Sequence, residues 1–138
     1  MGCSKLGWRR GSPRLVSSAA SFGRQTTPRT QMKRYEIHWA RLDPVLGSEI
    51  GKTRPCVIVS DDRYNSALPT VVVCPLSSTV RPRWRSRVQI MCAGRAADVC
   101  VEQIRTISQQ RLAGRLGMLT ATEASAVRRV ITEMYGQP

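Results

Sequence analysis

From Met32 onward the chain sets short apolar runs between turn-forming stretches. Tyr35 to Leu42, "YEIHWARL", alternates Ile37, Trp39 and, less cleanly, Arg41 against Glu36 and His38, the period-two pattern of a half-buried strand. "DPVLGSEIGKT" follows as a loop with turn residues at both ends. "CVIVS" (56–60) and "TVVVCPL" (70–76) are continuous, β-branched and bounded by turn chemistry, which predicts core strands. "SRVQIMC" (86–92) alternates Val88 and Ile90, and "DVCVEQIRTI" (98–107) alternates Val99, Val101 and Gln103 before Ile104. "SQQRLAGRLG" (108–117) reads as one helical turn or slightly more, closed by glycine. "TATEASAVRRVITEMY" opens on Thr120-x-x-Glu123, a capping box, and places Ala124, Val127, Ile131 and Met134 on one helical face, as core or as a dimer surface. Five strands and one terminal helix predict a mainly β fold, a small antiparallel barrel-like domain.

Residues 1–31 break this pattern: they are rich in Ser, Arg, Gly and Pro and have no apolar period. They read as a disordered basic leader, and the self-contained domain that begins at Met32 marks them as an upstream, mis-started extension. The expected domain is therefore 32–138. At 138 residues the chain suits one domain. Its net charge of +13 favours phosphate-rich or acidic partners. The body alone keeps sixteen basic against nine acidic residues, so that inference does not depend on the leader. Five cysteines without a Cys-x-x-Cys pair, and no secretory apolar segment, predict a reducing cytoplasm. No stretch approaches the apolar length of a membrane span.

The inventory of side chains narrows the chemistry. His38 is the only histidine, which excludes two-histidine RNA cleavage and leaves no base for a Ser-His-Asp hydrolase. Clustered carboxylates and Cys/His sets are missing, so neither a metal-dependent nuclease nor a structural zinc site is expected, and no cofactor. Arginines, hydroxyls and isolated carboxylates remain. They suit attack by an RNA 2′-hydroxyl on its own 3′-phosphate, where the nucleophile comes with the substrate and the protein binds and stabilises charge.

Three blocks in order, "LDPVLGSEIGKTRPCVIVSDDRYN", "VVVCPLSS" and "VEQIRTISQQRLAGRLG", resemble the MazF/PemK (Kid) toxins of bacterial toxin–antitoxin systems over about residues 33–135. The resemblance implies an SH3-like barrel with a C-terminal helix, a homodimer, and metal-independent, motif-specific cleavage of single-stranded RNA. It also implies an antitoxin whose acidic disordered tail fills the RNA groove. Carried over by position, the catalytic arginine is Arg54 and the catalytic hydroxyl is Ser77, with Ser where the family usually has Thr. Glu49 matches the loop carboxylate, either orienting Arg54, acting as base, or tying loop amides. Asn65 matches the loop asparagine, and Glu102, Gln103, Arg105 and Thr106 match the fifth-strand block. Tyr35 and Glu36 stand where the family often has Gly-Asp. Ser48 and Cys100 replace a histidine and an arginine of some relatives, so chemistry resting on those two does not transfer.

Pro55 biases Arg54 to extended geometry at the mouth of a strand, which suits a guanidinium aimed at phosphate. Lys52 joins it as an RNA-binding residue. "RPRWRSR" (81–87) surrounds Trp84 with arginines, the composition of a single-strand binding surface, and nominates Arg83, Trp84 and Arg85. Glu102 and Arg105 serve RNA binding or hold barrel and dimer together; Asn65 organises its turn. A second function class stays open on the same barrel: a non-catalytic, CcdB-like toxin that traps DNA gyrase.

Overall fold

The computed structural model describes residues 31–136; the expected leader, Gln31 apart, lies outside the described residues. Strands β1 (Glu36–Arg41), β2 (Thr53–Ile58), β3 (Thr70–Ser77), β4 (Arg87–Cys92), β5 (Arg95–Cys100), β6 (Arg105–Ser108) and β7 (Leu112–Met118) form one curled antiparallel sheet. Helix α1 (Asp62–Ala67) joins β2 to β3, and α2 (Ala121–Ile131) ends the domain, extended by a π turn over Thr132–Gly136. The mainly β half-barrel with its C-terminal helix is the expected architecture. No helix among the described residues is long and apolar enough to cross a membrane.

Strand β3 is the spine. Its one edge pairs with β2, Cys56 opposite Pro75 and Ile58 opposite Val73. The other edge is shared: Leu76 and Ser77 pair with Val99 and Asp98 of β5, while Thr70 to Val73 pair with Ser108 to Arg105 of β6. A 3₁₀ turn, Val101–Gln103, makes the step from β5 to β6, so "DVCVEQIRTI" is two strands and not one. Two cores result. Ile37, Val57, Leu76, Ile90, Val99 and Val127 fill the side covered by α2; Ala40, Leu42, Cys56, Ile58, Val73 and Ile107 form the second.

The structure departs from the sequence pattern in three further places. Glu36 and His38, expected outside, are 8% and 7% exposed. His38 Nε2 meets Glu36 Oε1 at 3.0 Å and Arg115 Nε donates to Glu36 Oε2 at 3.1 Å, so the polar groups are buried as a satisfied set. The expected helical segment 108–117 holds only a 3₁₀ turn, Gln109–Arg111; Leu112–Met118 is β7, paired with β1. Helix α1 was not expected, although Asp61 supplies its N-cap by accepting from Arg63 N at 2.8 Å.

Asn65 lies in α1, 3% exposed. Its Nδ2 donates to Met32 O and Ser60 O, both at 3.0 Å, and its Oδ1 accepts from Ser60 Oγ at 2.5 Å. That is an organising role, deeper than a turn. Asn65→Ala should therefore lower stability by about 2–3 kcal/mol, the scale of stranding buried polar groups. Denaturant melts that coincide with the parent would disprove the role.

Candidate active site

Arg54 stands at the start of β2, opposite Ala40 of β1, with Pro55 fixing the backbone after it. Its Nε donates to Gly51 O at 3.1 Å. The two terminal Nη groups have no partner among the described residues. Continuing the β2–β3 register from Cys56 and Pro75 sets Arg54 opposite Ser77. Neighbouring strands lie about 4.8 Å apart, so a guanidinium at one position reaches an anion held at the other. Ser77 in turn pairs with Asp98 on β5. Its Oγ accepts from Thr79 N at 3.1 Å and lies 3.3 Å from Thr79 O, which closes the strand end into a tight turn.

The β1–β2 loop is pinned around Arg54. Leu42 N donates to Lys52 O at 2.9 Å and Lys52 N to Asp43 Oδ1 at 2.8 Å, closing the loop at its base. A Cβ on Gly51 would lie 2.5 Å from Asp43 Oδ1 and 2.9 Å from the Val45 side chain, so this closure requires glycine. Lys52 takes a left-handed φ of 63° and its side chain is unpartnered among the described residues. From the 3₁₀ turn, Gln103 Oε1 accepts from Ile50 N at 3.2 Å, and Arg105 Nη1 donates to Leu42 O at 3.3 Å. Glu49 is exposed; its Oε1 accepts from Leu46 N at 2.8 Å. Of its three readings, the tie to loop amides is the one realised here.

The 81–87 segment is a built turn and not a free loop. Trp84 N donates to Arg81 O at 3.1 Å and Arg87 N to Trp84 O at 3.2 Å. The Arg81 and Arg87 guanidinium carbons lie 5.0 and 4.4 Å from the Trp84 ring, a cation–π pair of contacts. Arg87 is held from behind: Nη2 meets Glu102 Oε2 at 2.8 Å and Nη1 meets Asp98 Oδ2 at 3.5 Å. Asp98 also accepts from Arg81 N at 2.8 Å, and Ser86 Oγ donates to Glu102 at 2.8 Å. Arg83 and Arg85 stay exposed, their side chains unpartnered among the described residues.

The register thus sets Arg54 across from Ser77 at one end of the sheet; Glu49 and Lys52 lie on the loop that leads into Arg54, Arg105 is tied to the start of that loop at Leu42, and the Trp84 turn follows a few residues after Ser77. Two expected RNA-binding residues are committed elsewhere. Asn65 is buried under α1, and the Glu102 carboxylate is spent on Arg87 and Ser86. Asp98 and Arg87, which organise the turn, were not singled out from the sequence. An acid inside the apolar run "AADVC" was the available signal, since a charge facing a core needs a partner.

Burial pushes the Cys74 and Cys100 thiols up to about 12, so neither supplies a thiolate near neutral pH. Burial also pushes Glu102 up, but hydrogen bonds from Arg87 and Ser86 outweigh it and hold the carboxyl below its usual range. Among the described residues no three or more His, Cys, Asp or Glu side chains gather as a metal site. What the rim offers is donors: a positioned guanidinium with free N–H groups beside a hydroxyl, the means to bind and neutralise a phosphate.

The chain matches the PemK-like, MazF-like toxin of type II toxin–antitoxin systems over residues 33–135. It is 32% identical over 110 residues to the endoribonuclease MazF of Staphylococcus saprophyticus, covering 76% of this chain and 92% of that protein. Its fold is similar to the crystal structure of MazF from Deinococcus radiodurans, with a TM-score of 0.71 and 22% identity over 79% of this chain and all of that one. It is also similar to a mycobacterial endoribonuclease solved in complex with its cognate antitoxin, with a TM-score of 0.66 and 20% identity over 78% of this chain and 97% of that one.

The Arg87–Glu102 pair generates a pH test. A carboxyl held below its unfolded value contributes stability above the unfolded value of about 4.5, and that contribution is lost as pH falls through the lower folded value. Glu102→Gln should lower stability at pH 7 by about 1–3 kcal/mol, because it leaves the buried Arg87 guanidinium with Asp98 as its one carboxylate, and should flatten the decline as pH falls below about 4.5. Parallel stability–pH curves for variant and parent would show that the pair contributes nothing.

Proposed function

The chain belongs to the PemK/MazF toxin family of type II toxin–antitoxin systems and is an endoribonuclease, and on that premise we propose that it cuts single-stranded RNA at short sequence motifs without a metal ion. The observation that carries this reading is the Arg54 guanidinium, held by one nitrogen and open at the other two, in register with the Ser77 hydroxyl.

In this mechanism the RNA places a phosphate across β2 and β3. The Arg54 Nη groups bind its non-bridging oxygens, and Ser77 turns its proton from Thr79 O to the same phosphate. The 2′-oxygen attacks phosphorus and loses its proton, the P–O5′ bond breaks, and the 5′-oxygen takes up a proton. The products are a 2′,3′-cyclic phosphate and a 5′-hydroxyl end. Charge gathers on the non-bridging oxygens in the transition state, where fixed donors gain most. Glu49 serves the loop that shapes the rim. Gln103 and Arg105 hold that loop against β6 and so position Arg54.

The flanking single strand runs over the 81–87 turn. Arg83 and Arg85 meet phosphates, and a base stacks on Trp84 by displacing Arg81, since Arg87 is locked between two carboxylates. We further propose that the domain acts as a cytoplasmic homodimer and is neutralised by an antitoxin with an acidic disordered tail that competes for these cations. The mycobacterial structure with bound antitoxin supports the partner class. The named relatives lend the gyrase-binding alternative no support.

Cleavage of a single-stranded RNA library by purified protein in EDTA is the direct assay. Arg54→Ala should lower turnover at least about 10²-fold with the fold retained, and Arg54→Lys should fail with it, since an ammonium lacks the planar two-pronged contact. Full turnover by a folded Arg54→Ala protein would sink the assignment.

Binding to a cleavage-dead Arg54→Ala parent across a salt series tests the turn. Trp84→Ala should weaken binding by about 1–3 kcal/mol at every salt concentration. Removing Arg83 and Arg85 together should instead reduce the salt slope by about 0.7 per lost phosphate contact. Loop variants that track the parent throughout would place the RNA elsewhere.

A further inference from the structure

On the side of the β1–β2 ladder away from Arg54 lies a second concave site. Successive strand residues face opposite ways, so Thr53 and its cross-strand partner Arg41 face away from Arg54 and Ala40. Arg41 and Thr53 open into a cavity of about 500 Å³, which Asp43, Lys52, Ser108, Gln110 and Arg111 complete. That volume is in the range of small-molecule sites.

Its walls are built. Arg111 Nη1 donates to Arg41 O at 2.9 Å and to Asp43 O at 2.6 Å, which locks the floor. Arg41 Nη2 donates to Gln110 O at 3.2 Å, which leaves the rest of its guanidinium available. Ser108 Oγ accepts from Gln110 N at 3.1 Å and keeps its own proton for a ligand. Asp43 Oδ1 is taken by Lys52 N, and the left-handed turn at Lys52 sets the direction of an ammonium that has no partner among the described residues. The Gln110 carboxamide is likewise unpartnered among the described residues. The cavity therefore combines free cationic donors, hydroxyls, and an amide that both donates and accepts.

We propose that this cavity is a nucleotide subsite: it takes one nucleotide of the RNA flanking the cut, phosphate on Lys52 and Arg41, base edge on Gln110. The inference rests on the endoribonuclease reading and extends it to sequence choice. Because Thr53 adjoins Arg54, a strand bound at Arg54 reaches the cavity by passing over the start of β2. An acidic peptide is the competing occupant. It is the poorer match, because a carboxylate needs donors alone, whereas a base edge uses the acceptors as well.

Cleavage of a randomised single-stranded RNA library, read by sequencing the cut ends, tests this alongside steady-state kinetics on one good substrate. Gln110→Ala should level the preference at a single position near the cut, with about tenfold or greater loss of discrimination there. Lys52→Ala and Arg41→Ala should raise KM by about fivefold to tenfold, more than they lower kcat, and weaken its salt dependence. Melting temperatures within a few degrees of the parent would accompany both effects. Variants that keep the parent's preference and KM would overturn the subsite, and their loss of inhibition by an acidic antitoxin peptide would reassign the cavity to that peptide. A parent protein that cuts nothing in the library would overturn the endoribonuclease reading and the subsite with it.

Discussion

A buried carboxylate that lacks hydrogen-bond donors costs several kcal/mol, and Asp98, 1% exposed, meets that demand from the segment that leaves the active rim. Its donors are Arg81 N and the Arg87 guanidinium, which bracket Trp84. Because Asp98 also pairs with Ser77 across the sheet, the end of β3, the turn that follows it and the 3₁₀ turn bearing Glu102 are fixed to one point. Moving any of them would strand a charge. The Ser77 hydroxyl and the Trp84 ring are thus parts of one rigid body, as a precise site requires.

The same economy explains why some arginines are held and others are free. Arg87 spends all three of its nitrogens on Glu102 and Asp98, while Arg105 and Arg111 each commit one nitrogen to carbonyls of the β1–β2 segment. Arg54 spends one nitrogen and keeps two, while Lys52, Arg83 and Arg85 keep all of theirs among the described residues. The held cations shape the surface, and the free ones give it a field that a phosphate backbone can neutralise.

Legibility in the sequence followed the range of the interactions. Apolar runs such as "CVIVS" and "TVVVCPL" and the capping box at Thr120 are local, and the structure realises them as β2, β3 and α2. β7 was hidden because "LAGRLGM" carries two glycines and no β-branched residue; its strand state comes from pairing with β1, through two bulges. Glu36 and His38 were misplaced for a related reason: Arg115, far along the chain, satisfies Glu36 only once β7 is docked. Arg54 and Ser77 were nominated through motif blocks, since register is invisible locally. Glu102 and Asn65 were matched to RNA binding beside a structural reading of each, and their tertiary partners supply the structural work.

The free cations also bear on neutralisation. A domain with sixteen basic and nine acidic residues from position 32 repels itself, most strongly where cations lack partners. Whatever polyanion covers that face relieves the repulsion and stabilises the fold by mass action. On the reading proposed above, RNA and an acidic antitoxin tail draw on this one source of free energy, so binding one excludes the other without a conformational switch. The tail has only to offer carboxylates to donors that the cleavage chemistry must leave unpaired. An active rim of this kind is therefore open to inhibition for the same electrostatic reason that it binds its substrate.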